Sequence, residues 1–119
     1  MKFPSTVNIL GTEYDIVIKT YKEEPEFDKS FAFTSFSGKQ ITLSDLYFSW
    51  TDATKKSIRN KMKENLRHEI LHAFLNESGL NTSSIVVDDE GWARNEEMVD
   101  WFAIQAPKIY QAYKEAKCL

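Results

Sequence analysis

The chain has 119 residues, of which 42% are hydrophobic and 28% charged, and its formal net charge is −3. This size and composition predict one globular domain, residues 1–119, with a core of its own. The small negative charge excludes the basic surface of a nucleic-acid-binding protein, and the single cysteine, Cys118, excludes an internal disulfide. The sequence has no membrane-spanning run and no signal-peptide core, so a cytoplasm is the expected location.

The first part of the chain, residues 1–50, is expected to be rich in β-strands. Two segments of strand-like composition, 7–10 and 14–18, flank Gly11 and Thr12, which suit a hairpin turn. These segments therefore predict a strand pair near the start of the chain.

A second strand pair is predicted after a polar segment that contains Pro25. Bulky and small residues alternate over residues 31–36, and a turn at 37–39 leads to another strand-like segment at 40–44. Alternation with this period places one set of side chains on one face of an antiparallel pair. The set expected to face the core consists of Phe31, Phe33, Ile41 and Leu43.

Residues 51–119 are expected to be mainly helical. A long helix capped by Thr51 or Asp52 is predicted to end at Gly79, because hydroxyl and carboxylate side chains cap helices and glycine often terminates them. At about 100° per residue, its apolar side chains form one arc that can pack on the sheet. These side chains are Ile58, Met62, Leu66, Ile70, Ala73 and Phe74.

The same helix carries a His-Glu-x-x-His motif that uses both histidines of the chain, His68 and His72. Residues four apart lie on one face of a helix. The two imidazoles can therefore bind one Zn²⁺ while Glu69, between them, acts on a water beside the metal. Helical phase places the histidines opposite the centre of the apolar arc, where they face a wall supplied by another part of the chain.

The segment that follows the long helix, residues 80–92, is expected to be a loop with a short strand at 85–87. A last helix is predicted from residues 92–95 to about Lys117, with a kink or a restart at Pro107 inside it. Its expected buried arc consists of Val99, Phe102, Ala106, Ile109 and Tyr113.

A catalytic zinc site needs three protein ligands and one open position, and the chain has no third histidine. Glu96 and Asp100 stack one helical turn apart beside the small side chain of Ala103. Glu96 is therefore predicted as the third ligand, and Asp100 as the acceptor that orients a ligand histidine. Glu97 is the alternative third ligand. A competing interpretation is that acidic residues simply favour the positive end of a helix.

The motif at residues 68–72, followed by Asn95, Glu96 and Asp100 on a later helix, resembles the signature of the gluzincins, zinc metallopeptidases that include the thermolysin-like enzymes. In its short spacing and small size the chain more closely resembles minimal gluzincins, ImmA/IrrE-type metallopeptidases and small phage or prophage proteins. The resemblance covers residues 65–107 and reaches the strands only through architecture. It implies a zincin-like α+β fold, in which a small antiparallel or mixed sheet packs on the motif helix and a C-terminal helix.

For function, the resemblance implies a metallo-endopeptidase that holds one Zn²⁺ and uses Glu69 as the general base. The substrate would be a peptide or protein, by analogy a transcriptional repressor, in the cytoplasm of a phage-infected or lysogenic bacterium. It is expected to lie extended along a free sheet edge, for which residues 40–44 are the candidate.

One departure from the larger gluzincins leaves a second function open. Those enzymes carry an additional histidine that stabilises the oxyanion, whereas this chain has no histidine outside the motif. Arg94, a tyrosine or the metal would have to stabilise the oxyanion instead. The tyrosines are Tyr14, Tyr21, Tyr47, Tyr110 and Tyr113. The alternative is a non-catalytic zinc protein that acts as a structural or interaction module, and a metal-free interaction module is a third interpretation. The sequence does not indicate an oligomeric state.

Overall fold

The computed structural model describes residues 3–47, 54–83 and 91–119, which form a four-stranded sheet and two long helices. The strands are β1 (Thr6–Ile9), β2 (Thr12–Lys19), β3 (Ala32–Ser35) and β4 (Gln40–Ser44). The α-helices are α1 (Lys55–Glu77), the short α2 (Leu80–Ser83) and α3 (Glu96–Glu115), and 3₁₀-helices span Tyr21–Glu23, Pro25–Asp28 and Trp92–Arg94. This arrangement confirms the predicted α+β class. None of the described helices is long and apolar enough to cross a membrane.

β1 and β2 form the predicted hairpin, but its turn lies one residue earlier than expected. Leu10 and Gly11 have φ values of 50° and 90°, as the two central residues of a type I′ hairpin turn require. The Gly11 N–H donates to Asn8 Oδ1 at 2.9 Å, which closes the turn. Thr12 is already in β2, where it pairs with Ile9.

The sheet is mixed, with strand order β1-β2-β4-β3. β4 pairs in parallel with β2 and antiparallel with β3, so it has a neighbour on both sides. The prediction that residues 40–44 form a free edge is therefore wrong, and within the described residues the edges are β1 and β3. Burial on both faces agrees with this position, because Thr42 is 1% exposed although it alternates with Ile41 and Leu43.

The predicted inward face of the second strand pair is half correct. Ile41 and Leu43 belong to the buried cluster that includes residues of α1. Their partners across the ladder are Thr34 and Ala32, which therefore lie on the same face. Small side chains here leave room for α1 to approach β3 closely.

The two phenylalanines of the predicted inward set do not belong to it. Phe33 pairs with Thr42 and lies on the opposite face, where its ring is 6.1 Å from that of Phe27 in a 3₁₀-helix. Phe31 precedes β3 and is 37% exposed. Both faces of the sheet are covered in this region, and large side chains alone did not reveal which face α1 occupies.

α1 begins later than predicted and ends where expected. Thr54 caps it by accepting a hydrogen bond at Oγ1 from the Ser57 N–H. The predicted caps Thr51 and Asp52 lie outside the described residues. Gly79 follows the helix with a φ of 86°, a left-handed value typical of helix termination.

The apolar arc of α1 packs on the sheet largely as predicted. Ile58, Met62, Leu66 and Ala73 are buried and Ile70 is half-buried. Phe74 is 39% exposed, so its prediction as a core residue is wrong. Its position is about 100° around the helix from Ala73, outside the buried row.

α3 is one continuous helix rather than two. Asn95 caps it by accepting from the Met98 N–H, and Pro107 lies inside it without a restart. Of the predicted buried arc only Val99 is buried, while Phe102 and Tyr113 are 38% and 49% exposed. The helix therefore packs mainly through its first half. The predicted loop after α1 starts with the helical turn α2, and the strand predicted at 85–87 lies outside the described residues.

The C-terminal end of α1 is fixed to the sheet by Glu77. Its carboxylate accepts hydrogen bonds from the Tyr14 hydroxyl at 2.6 Å, from Lys39 Nζ at 2.7 Å and from Thr12 Oγ1 at 3.3 Å. The hydrogen bonds from Lys39 and Tyr14 lower the pKa of Glu77. The ionised carboxylate therefore stabilises the fold above the pKa of an unfolded glutamate, and this contribution is lost as the pH falls through the lower folded pKa.

Glu77→Gln is accordingly expected to destabilise the protein near neutral pH, with a smaller deficit in acid. The measurement is the free energy of unfolding in urea at about pH 7 and again about one unit below the pKa of free glutamate, roughly pH 3. Glu13→Gln, which alters an exposed glutamate of β2, is the matched control and should change little at either pH. A Glu77→Gln deficit of equal size at both pH values would contradict the assigned role.

Candidate metal centre

A cavity of about 690 Å³ opens where α1, the edge strand β3 and the start of α3 meet. α1 supplies one wall because its apolar row packs on the sheet and leaves the adjacent face free. β3 and the segment before α3 supply the others. Residues that line it include Thr34, His68, Glu69, His72, Arg94 and Glu96.

Two imidazoles and one carboxylate converge in this cavity. His68 Nε2 and His72 Nε2 are 3.0 Å apart, and each is 3.0 Å from a different oxygen of Glu96. Four ligands held tetrahedrally at the usual zinc bond lengths would be separated by about 3.3 Å. The two imidazole nitrogens, and each nitrogen with its nearer Glu96 oxygen, are therefore separated by nearly the distance expected for two ligands of one tetrahedral ion. The N, N, O chemistry of the group fits zinc.

Asp100 contacts the ring nitrogen of His68 that points away from the cluster. Its Oδ1 is 2.7 Å from His68 Nδ1, and a carboxylate can only accept there. Nε2 of the same ring is 3.0 Å from a Glu96 oxygen, so each ring nitrogen faces a carboxylate. A metal bound at Nε2 would leave the ring proton on Nδ1, where it can be donated to Asp100. The predicted pairing of Asp100 with a histidine is present in this contact, and its role behind a zinc ligand stays a prediction.

Glu69 lies in the sheet-facing row of α1 and is 6% exposed. Its Oε1 accepts a hydrogen bond from Thr34 Oγ1 at 2.8 Å, while Oε2 is 3.8 Å from His68 Nε2. Burial raises the pKa of Glu69, and the Thr34 hydrogen bond acts in the opposite direction. One oxygen of the carboxylate is thus held by β3 and the other faces the histidines, as a proton acceptor requires.

Thr34 was missed by reasoning from the sequence. The alternation of bulky and small residues over 31–36 assigns the phase of β3 from side-chain size and gives Thr34 no role. Its role depends on the register with β4, which puts it on the face that α1 covers. The sequence could indicate Thr34 only as a hydroxyl on a strand that packs next to the motif helix. Recognising it would require the strand order, which the sequence does not provide.

The remaining predicted residues have different positions. Asn95 caps α3 through Met98 and makes Glu96 the first residue of the helix, so it acts on backbone geometry. Glu97 is exposed and is not part of the group of possible ligands, whose donor atoms all lie within 4.8 Å of one another. The geometry therefore favours Glu96 over Glu97.

Among the oxyanion donors considered from the sequence, Arg94 lines the cavity, and its Nε donates to the Asn81 carbonyl at 3.0 Å. The tyrosines do not line it; they are Tyr14, Tyr21, Tyr47, Tyr110 and Tyr113. The Tyr14 hydroxyl is instead bonded to Glu77 near the end of α1.

Comparison with known proteins adds no assignment to this geometry. No protein-family model matches the chain, and neither the curated proteins nor the solved structures give a match. The donor set, its spacing and its surroundings are what a functional assignment must rest on.

Proposed function

We propose that this protein is a zinc-dependent metallo-endopeptidase of zincin-like fold, with His68, His72 and Glu96 as the metal ligands. The observation that carries the proposal is the convergence of these three donors beside the buried carboxylate of Glu69. Structural zinc sites are closed by four protein ligands, whereas three protein ligands leave a position for water and substrate. Within the described residues the group has three members.

The bound metal would supply Lewis-acid chemistry, making an attacking water more acidic and a scissile carbonyl more electrophilic. Glu69 accepts the proton of that water on the oxygen that faces the histidines and later delivers it to the leaving amine. Thr34 keeps the carboxylate in this orientation through the other oxygen. Asp100 holds the ring of His68 so that its lone pair points inward.

The proposed substrate is an extended protein segment that adds to β3. Within the described part of the chain β3 pairs on one side only, with β4, and residues of β3 line the cavity. A strand added to the open side would be held by main-chain hydrogen bonds and would pass next to Glu69, because Thr34 of β3 already contacts it. β3 thus replaces residues 40–44 as the proposed docking edge.

Arg94 is the proposed stabiliser of the oxyanion, since it brings a positive charge to the cavity wall. A transcriptional repressor as the substrate, and the cytoplasm of a phage-infected or lysogenic bacterium as the setting, remain proposals that rest on the resemblance alone.

A non-catalytic zinc protein is the second candidate. It is favoured by the fact that the proposed ligands join two helices, with both histidines on α1 and Glu96 on α3. An ion held there would cross-link the helices even without turnover.

Metal removal tests the proposal and separates the two candidates. Protein purified without chelators is expected to contain one zinc per chain and to cleave members of a library of extended peptides, detected by mass spectrometry. Treatment with a chelator should abolish cleavage, and added Zn²⁺ should restore it. Stoichiometric zinc without cleavage of any peptide or unfolded protein would favour the non-catalytic role, and protein without affinity for zinc would reject both.

A further inference from the structure

Pro107 leaves a carbonyl of α3 without its usual donor. In an α-helix the N–H of each residue donates to the carbonyl four residues earlier, and proline has no N–H. The carbonyl affected is that of Ala103, a residue that is 1% exposed and therefore shielded from water. A buried carbonyl without a partner would be costly.

Arg67 of α1 supplies the missing hydrogen-bond donor. Its Nε donates to the Ala103 carbonyl oxygen at 2.6 Å, across the contact between the two long helices. The other polar contacts between α1 and α3 in the described residues all involve a proposed ligand or Asp100. The carbonyl that Pro107 leaves without a donor in α3 thus forms a hydrogen bond that connects α3 to α1.

This hydrogen bond lies next to the proposed metal centre on both helices. On α1 the donor precedes His68 directly. On α3 the acceptor lies three residues after Asp100 and seven after Glu96, and those spacings place all three along one edge of the helix. The carboxylates themselves constrain α3 weakly, because the side chains of Glu96 and Asp100 are 67% and 64% exposed.

We propose that Arg67 is a positioning residue for the metal centre and that Pro107 creates the acceptor it uses; this rests on the zinc site proposed above. The hydrogen bond sets how far α3 stands from α1 and how it is rotated. Both quantities must be fixed for the two Glu96 oxygens to reach both imidazoles. If the arginine is lost, α3 must move so that water can reach the unpaired, buried carbonyl, and Glu96 moves with the helix.

A double-mutant cycle read out as zinc affinity tests this proposal. Arg67→Leu keeps an apolar stem and removes the donor, and it should weaken zinc binding about ten- to a hundredfold, the usual effect of losing a residue that supports ligands. In the Pro107→Ala background residue 107 regains its N–H, so the Ala103 carbonyl keeps a partner. There Arg67→Leu should weaken zinc binding much less. Affinity is measured by competition with a chromogenic chelator.

Controls separate positioning from general destabilisation. Arg59→Leu, which removes the same charge from an exposed site two turns earlier on α1, should leave zinc affinity unchanged. Arg67→Lys, which retains a donor, should recover part of the affinity and keeps the test available if Arg67→Leu does not fold.

Four results would contradict parts of this proposal. Unchanged zinc affinity in Arg67→Leu or a loss in Arg67→Lys as large as in Arg67→Leu would overturn the positioning role. An equal loss with and without Pro107 would overturn the link to the proline. Absence of zinc binding in the unsubstituted protein would instead reject the proposed metal site itself.

Discussion

Glu69→Gln is expected to abolish peptide hydrolysis while zinc remains bound. Glutamine has the shape of glutamate and can still accept the hydrogen bond from Thr34 at Oε1, but it cannot take up the proton of a water. Loss of a general base costs about 10²–10⁴-fold in rate. The proposed ligands His68, His72 and Glu96 are untouched, so zinc affinity should change little.

The measurement pairs turnover of a cleavable peptide with zinc content on the same preparations. Glu97→Gln, an exposed glutamate on α3 outside the donor group, is the control and should keep both. In zinc-free protein Glu69→Gln should unfold at no lower urea concentration than the parent, because burial raises the pKa of Glu69 and the amide removes a buried charge. Full activity in this variant would reject the general-base role and leave a binding function.

His72→Ala is expected to remove both zinc binding and activity. The substitution deletes one of the three donor atoms of the group. In the parent, Nε2 of His72 is 3.0 Å from His68 Nε2 and 3.0 Å from a Glu96 oxygen. Residues that merely support ligands are worth 10–100-fold in affinity, so losing a ligand should cost more than about a hundredfold. Zinc at about 100 times its dissociation constant should stabilise the parent by about 2.7 kcal/mol and the variant hardly at all.

Thermal unfolding with and without added zinc measures this difference directly. Asn65→Ala alters the same helix three residues before His68 and should retain the zinc-dependent rise in Tm. A rise of equal size in His72→Ala would mean that His72 is not a ligand.

The parts of the site that lie within one helix could be predicted from the sequence. The spacing of His68 and His72, and of Glu96 and Asp100, determines which side chains share a face once a helix is assumed. Helical phase alone also favours Glu96 over Glu97, because Glu96 shares a face with Asp100. These relations are local, and tertiary packing did not change them.

The parts that failed depend on contacts between distant segments. Moving a strand by one residue turns every side chain to the other face, so the phase of β3 could not be taken from the size of Phe31 and Phe33. The parallel pairing of β2 with β4 made β4 internal, and nothing local distinguishes an internal strand from an edge strand here. Thr34 and Arg67 were missed for the same reason, since each acts on a partner in another element.

The contacts around the cavity also bear on the order in which the chain acquires its structure. Thr34 and Glu69 are 35 residues apart, and Arg67 and Ala103 are 36 apart. Contacts between residues this far apart in sequence form after local helical turns, because the entropy of closing the loop must be overcome first. An early helix would bring together only the two histidines, an incomplete donor set. The proposed zinc site should therefore reach high affinity only late in folding, after β3, α1 and α3 have come into contact.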